Sequence, residues 1–338
     1  MHFLVIRTSS MGDVALTAPV LASVIKQYPD AGITMLTRPA YIPFFQGMKG
    51  LVIFSADFSK RHKGLAGILR LFGDLTKTDR IDHIVDLHDV IRTKILRWLF
   101  RLSGVRASVI DKGRAEKKAL ISGKKKTQLK HTVERYFDVF ASAGFPAAQV
   151  GGPFLNTVTG AAAHSVISRD IMNIGVAPFS RHTLKIWPEE YMVSLLTMIS
   201  GKHKVRFLLF GGREDIPKLE ALTGKMPDSE IIAGKYSIPE ELALMSRLDF
   251  MITMDSANMH MAALSGTRVV SIWGGTDPLA GFGAWQQPDE YSIRIPVNEL
   301  TCRPCTIYGK GKTHNGFKCM KMLTPEMVYE KLINLKLL

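Results

Sequence analysis

The chain has 338 residues, of which 46% are hydrophobic and 22% charged, with a formal net charge of +14. That length points to two domains, and the composition excludes a disordered or fibrous chain. Three cysteines make no disulfide framework, no apolar run reaches the ~18 residues of a membrane span, and the N-terminus lacks the pattern of a signal peptide, so a cytoplasmic location is expected.

Phe3-Leu4-Val5-Ile6 reads as a buried strand, 2–6, and the run Thr8-Ser9-Ser10-Met11-Gly12-Asp13 follows it directly. A helix pattern then covers 14–28. Such a strand-to-helix turn stands at the carboxyl end of a parallel sheet, where open α/β folds bind ligands. Gly12 lets a substrate approach the backbone closely. Asp13, with no basic residue beside it in sequence, has two readings. It is a general base at the cleft mouth, or it and Ser10 cap the helix.

Strands at 32–37, 51–54, 83–87 and 106–110 then alternate with helices at 64–78, 91–102 and 130–143. That alternation argues for a parallel sheet wrapped by helices. Residues 1–160 carry 24 Lys and Arg against 12 Asp and Glu, whereas the remainder carries 20 against 18. The positive field therefore belongs to the first half. It suits an anionic partner (nucleic acid, a membrane surface or a phosphorylated substrate) or is simply a solvated surface. Lys60-Arg61-His62-Lys63 and Lys124-Lys125-Lys126 lie in loop-like stretches and are candidates for contacts with a phosphorylated acceptor. No aromatic residues interleave with them, which argues against single-stranded nucleic acid. The helix 91–102 sets Ile91, Ile95, Trp98, Leu99 and Leu102 beside Arg92, Lys94, Arg97 and Arg101. It lies on an anionic membrane or, the commoner outcome, packs its apolar face on its own sheet.

The breaker-rich stretch from Gly151-Gly152-Pro153 to Ala161-Ala162-Ala163 reads as an interdomain connection. Beyond it, strands at 172–177, 205–210, 229–232, 249–253 and 268–272 alternate with helices at 188–200, 215–224, 238–246 and 257–265. A last helix, 325–336, follows Thr324-Pro325, an N-cap and a first-turn proline. The expected division is 1–155, a linker at 156–170, 171–323, and a C-terminal helical segment at 324–338.

Four turns of this second half carry candidate chemistry. Gly175 to Ser180 ends a strand, and Lys185-Ile186-Trp187-Pro188-Glu189 opens a helix. A lysine there, beside free backbone N–H groups and a hydroxyl, suits a phosphate, although no Walker loop is present, or it simply faces solvent. Gly211-Gly212-Arg213-Glu214 permits a tight turn in which Glu214 accepts from ribose hydroxyls. Asp255-Ser256-Ala257-Asn258-Met259-His260 joins a carboxylate to a helix start whose amides suit a diphosphate, with Asp255 either a partner for sugar hydroxyls or only an N-cap. Trp273-Gly274-Gly275-Thr276-Asp277-Pro278 closes a further strand. Near the C-terminus, Cys302, Cys305, His314 and Cys319 have the ligand types of structural zinc, or the cysteines are reduced loop and core residues.

Taken together these motifs resemble glycosyltransferase family 9, the ADP-heptose:lipopolysaccharide heptosyltransferases, over nearly the whole chain. Thr8 to Asp13 matches closely. Lys185-x-Trp187-Pro188 is similar to the family's K-x-W-P segment, Asp255 to His260 to its D-[ST]-[GA]-x-x-H segment, and Trp273-Gly274-Gly275-Thr276-Asp277-Pro278 to its G-x-T-D-P turn. Cys302-x-Pro304-Cys305 and Cys319-Met320 resemble a cysteine-bearing tail of many members. The resemblance implies a GT-B fold: two Rossmann-like, doubly wound domains facing an interdomain cleft, the first for the acceptor and the second for the nucleotide-sugar. It implies inversion at the anomeric carbon with no obligatory cofactor or metal. Asp13 would then be the base, with Ser10, Gly12, Lys60, Arg61 and Lys63 on the acceptor side. Ser180 and Lys185 would hold the donor diphosphate with amides of Ser256 and Ala257. Glu214 would bind ribose, Tyr236 would lie near adenine, Asp255 would hold the sugar, and His260 would support that site. The implied partners are an ADP-sugar, a phosphorylated glycolipid and the cytoplasmic face of an anionic inner membrane, and not nucleic acid. Ser256-Ala257 replaces a common Thr-Gly, and Arg181 stands where a second hydroxyl often follows Ser180. A different nucleotide-sugar and surface glycan is the alternative. Of another class is a non-catalytic basic protein that binds nucleic acid or anionic lipid.

Overall fold

The computed structural model describes residues 1–338 except 79, 156–165, 169, 227, 313 and 314. It divides into two compact units, Met1–Lys112 with Thr132–Asn156, and Gly113–His131 with Thr157–Leu338. Most of the expected linker, 156–170, lies outside the described residues. The segment Gly113–His131, which the alternation of elements assigned to the first half, groups with the second unit. Its helix, Arg114–Ile121, escapes the sequence pattern because it is short and is preceded by Gly113 at φ 59° rather than by a Ser, Thr or Asp cap. Leu120 of that helix packs with Leu129, Ala280 and Ile307 of the same unit.

The first unit is built on strands β1 (His2–Ile6), β2 (Gly32–Thr37), β3 (Leu51–Ser55), β4 (His83–Asp86) and β5 (Arg106–Val109). They are parallel, in the order β3-β2-β1-β4-β5. Phe3, Leu4, Val5 and Ile6 are wholly buried, as befits a central parallel strand covered on both faces. The pattern expected over 14–28 forms two helices, Met11–Ala15 and Ala18–Gln27. Pro19 lacks an N–H and is tolerated only in a first turn, so a new helix begins at Ala18. Gly64–Thr78 and Ile91–Leu102 form as the sequence predicts, and Leu71, Leu75, Leu96 and Phe100 join β1 and β4 residues in one apolar core.

The second unit carries β6 (Met172–Ala177), β7 (Val205–Leu209), β8 (Ser229–Ile231), β9 (Phe250–Met254), β10 (Val269–Ile272) and β11 (Ser292–Ile293). Their order is β11-β10-β9-β6-β7-β8, all parallel. The sequence did not predict β11, which has only two residues. The helix Pro325–Asn334 belongs to this unit's core, through Val328, Tyr329 and Leu332. Both sheets therefore have the Rossmann strand order, reversing beside the first strand. The reversal falls between β1 and β4 in one unit and between β6 and β9 in the other. Among the described residues, no helix is long and apolar enough to cross a membrane.

Candidate functional site

The first reversal point brings the β1 turn against the end of β4. Asp13 stands in the first turn of Met11–Ala15, and its Oδ2 accepts from the Ser10 N–H at 3.2 Å and the Ser10 hydroxyl at 2.6 Å. The helix cap and the half-buried carboxylate are thus the same arrangement. Arg7 Nη2 lies 2.8 Å from the same oxygen, a cation that adjacency in sequence did not reveal. Burial works against the Arg7 charge, but Asp13, Tyr136 and Asp86 outweigh it and raise the guanidinium pKa. Arg7 also donates to the Leu87 carbonyl at 2.6 Å, and Tyr136 donates to the Asp13 carbonyl at 3.3 Å. Gly12 is buried, and its carbonyl accepts from Leu16 N–H at 2.9 Å.

His88, just past β4, was not singled out by any motif. Its two ring nitrogens stand 3.1 Å from Thr8 Oγ1 and 3.1 Å from Ser9 Oγ. Burial, with Arg7 and Lys112 nearby, pushes its pKa down to about 3. A neutral imidazole can donate from one nitrogen and accept at the other, so His88 clamps both hydroxyls of the turn that carries Asp13. Lys60, Arg61 and Lys63 lie elsewhere in this unit, between β3 and the helix Gly64–Thr78. Lys60 N–H donates to Asp57 Oδ1 at 3.0 Å, and Arg61 grips Asp74 with two bonds of 2.9 and 2.8 Å. Lys63 is exposed.

The second reversal point gathers residues that are far apart in sequence. Ser180, past β6, donates to the Asp255 carbonyl at 2.9 Å. Lys185 Nζ lies 2.8 Å from Asp255 Oδ2, and Thr276 Oγ1 donates to that same oxygen at 2.8 Å. The buried Trp187 secures the lysine's segment, donating from Nε1 to the Leu323 carbonyl at 2.9 Å. Gly275 packs closely under the lysine's segment, and a Cβ there would sit 3.0 Å from the Leu184 carbonyl oxygen. The His182 pKa is lowered by burial, then by Lys185, Arg181 and Lys310, so two further cationic side chains lie near the site. Ser256 precedes the helix Ala257–Leu264, and His260 is buried one turn in. His131 neighbours it; burial pushes its pKa down to about 4.

Glu214 is exposed on the turn after β7, and Tyr236 is half-buried on the turn after β8. Those turns touch: a Cβ on Gly234 would lie 3.9 Å from Arg213 Cγ. Every donor-side residue named from the sequence therefore occupies the carboxyl edge of the second sheet or the helix that begins there.

The cysteine-bearing tail is organised around a buried arginine. Arg303, between Cys302 and Cys305, is buried and donates to the carbonyls of Gly274 at 2.8 Å, Trp273 at 3.3 Å, Thr276 at 3.2 Å and also Ile295. It lies 3.3 Å from the fully buried Asp277. This arginine shapes the turn that presents Thr276 to Asp255. Burial raises the Cys305 thiol to about 11 and raises that of Cys319. Among the described residues, no group of three or more His, Cys, Asp or Glu is arranged to hold a metal. His314 lies outside the described residues.

A family model described as glycosyltransferase family 9 (heptosyltransferase) matches residues 69–309. Lipopolysaccharide heptosyltransferase 3 of Escherichia coli is 24% identical over 286 residues, covering 79% of this chain and 81% of its own. Among solved structures, a glycosyl transferase family 9 protein from Veillonella parvula aligns with a TM-score of 0.77 at 18% identity, covering 99% of this chain and 96% of its own. E. coli heptosyltransferase WaaC with ADP-2-deoxy-2-fluoro heptose aligns with a TM-score of 0.68 at 19% identity, covering 99% and 100%. These likenesses establish the fold as GT-B.

Proposed function

The chain belongs to glycosyltransferase family 9, the heptosyltransferase family, and from that premise we propose that it moves a heptose from an ADP-sugar to a lipopolysaccharide-core acceptor with inversion. The acceptor hydroxyl oxygen attacks the anomeric carbon. The bond from that carbon to the diphosphate breaks, and its electron pair stays on the departing phosphate. Asp13 takes the hydroxyl proton. Ser10 and Arg7, both on Oδ2, hold the carboxylate's orientation, while His88 fixes the turn beneath it.

The second unit would hold the donor. The single observation that carries the reading is the set Ser180, Lys185, Asp255 and Thr276 at the β6–β9 reversal, with Arg181 and Lys310 close by. Lysine and arginine charge, joined by the amides that begin Ala257–Leu264, stabilises a leaving diphosphate without a metal. Asp255, already a hydrogen-bond acceptor, would hold sugar hydroxyls, and Glu214 and Tyr236 would take ribose and adenine. The WaaC structure contains an ADP-heptose analogue, and the E. coli relative is named a lipopolysaccharide heptosyltransferase. Both names support this donor and acceptor. Such an acceptor would set the enzyme to work at the cytoplasmic face of a membrane.

A second reading keeps the reaction and changes the donor sugar and glycan, favoured by Arg181 and by Ser256-Ala257 at the diphosphate turn. Calorimetric titration with ADP, UDP and GDP separates the two. Selective ADP binding supports an ADP-sugar; preference for UDP or GDP selects the second reading.

A further inference from the structure

The helix Ile91–Leu102 does not cover the sheet with the face its longest apolar side chains suggested. Leu96 and Phe100 turn inward and complete the core, whereas Ile91, Trp98 and Leu102 are 80%, 59% and 68% exposed. They recur at spacings of seven and four, so they form one outward stripe. The neighbouring helix Gly64–Thr78 adds Leu65 and Leu69, 62% and 51% exposed. The two helices lie side by side, with the Phe72 and Phe100 rings 4.8 Å apart. Five large apolar side chains are thus displayed on one helical layer, more than scattered surface apolar residues require.

Positive charge predominates around them, with Asp89 beside the helix Ile91–Leu102, 3.8 Å from Lys94. Arg70, Lys94 and Arg101 are exposed on the same two helices. The one carboxylate in either helix, Asp74, is held by Arg61 and His62. A second copy of this face would set cation against cation, whereas an anionic bilayer satisfies both the charge and the apolar stripe. Both helices begin just past the carboxyl ends of strands β3 and β4, the sheet edge that carries Asp13.

We propose that the face formed by Leu65, Leu69, Ile91, Trp98 and Leu102, with its surrounding cations, is where this protein docks on an anionic lipid surface. The inference deepens the glycolipid-acceptor reading above and rests on it for its purpose, since it would hold the acceptor-side edge beside the bilayer.

Trp98 supplies the probe, because the other three tryptophans, Trp187, Trp273 and Trp285, are buried. The whole protein is mixed with vesicles of phosphatidylcholine alone, or with phosphatidylglycerol added, some carrying brominated acyl chains. The expected result is co-sedimentation with the anionic vesicles, a blue shift of tryptophan emission and quenching by bromine. Trp98→Ser should weaken partitioning about 10-fold and leave transfer to a delipidated, water-soluble acceptor unchanged. Arg70→Gln with Lys94→Gln and Arg101→Gln should weaken it about 100-fold. No partitioning, partitioning that both variants leave unchanged, or a dimer that Trp98→Ser dissolves would each overturn the proposal. Vesicle binding needs neither donor nor acceptor, so it and sugar transfer can fail separately.

Discussion

Lys185 and Asp255 form an ion pair of 2.8 Å that joins the segment after β6 to the end of β9. Seventy residues of chain separate them, and the reversal of strand order makes them neighbours. The pair is largely buried, with side-chain exposures of 15% and 6%. Thr276 also bonds the carboxylate and Ser180 the Asp255 backbone carbonyl, which leaves the residue fixed and the lysine's charge at the sheet edge.

Lys185→Ala should therefore weaken ADP binding. A hydrogen bond to a charged group contributes roughly 1.5–3 kcal/mol, about 10- to 100-fold in affinity. Calorimetry on wild type and variant reads the change directly. An unaltered ADP affinity would remove the lysine from the diphosphate site.

Arg303 acts at one remove. Arg303→Met would strip Asp277 of its closest cation and leave four carbonyls without their donor. Removing one member of a buried pair costs about 3–5 kcal/mol. Arg294, 3.8 Å from Asp277, would offset part of that. Urea denaturation should show the loss, and Asp277→Leu in the same chain should recover some of it. Equal stability of wild type and Arg303→Met would contradict the clamp.

The buried histidines set a pH dependence of stability. His88 and His131 fall from the usual 6.5 to about 3 and about 4 in the folded chain. Between pH 6.5 and 5 the unfolded chain binds protons at these positions and the folded chain does not. Each histidine's contribution is therefore full above pH 6.5 and falls as the pH drops, by up to about 1.4 kcal/mol per pH unit, while in the second unit Glu241, raised by burial to about 7, acts in the opposite sense. His88 belongs to the first unit and His131 to the second. The first unit's denaturation midpoint should fall with pH across this range, and His88→Gln should flatten that fall. A His88→Gln protein with the wild-type slope would show that His88 is protonated when folded.

Much of this was legible in the sequence, since local signals mark where strands end and helices begin. Glycines, small hydroxyl residues and a carboxylate after an apolar run marked both the Asp13 turn and the Asp255 turn, and strand and helix positions followed from periodicity. Contacts between strands distant in sequence were not legible. Nothing in residues 1–13 announces that β4 lies beside β1, so neither His88 nor the Arg7–Leu87 bond could be read. Arg303 was hidden by the cysteines on either side of it. The helix 91–102 has apolar residues on more than one face, and only the packed sheet decides that Leu96 and Phe100 turn inward while Trp98 does not.

The central claim is that Asp13 is the base of a sugar transfer whose donor is bound by the other unit. It is tested most directly by the turnover of Asp13→Asn with ADP-heptose and a lipopolysaccharide-core acceptor, with ADP binding measured on the same sample. A well-placed base contributes about 10²–10⁴-fold in rate, so kcat should fall by that factor while ADP affinity stays at the wild-type value. Turnover close to wild type would contradict the assignment of Asp13.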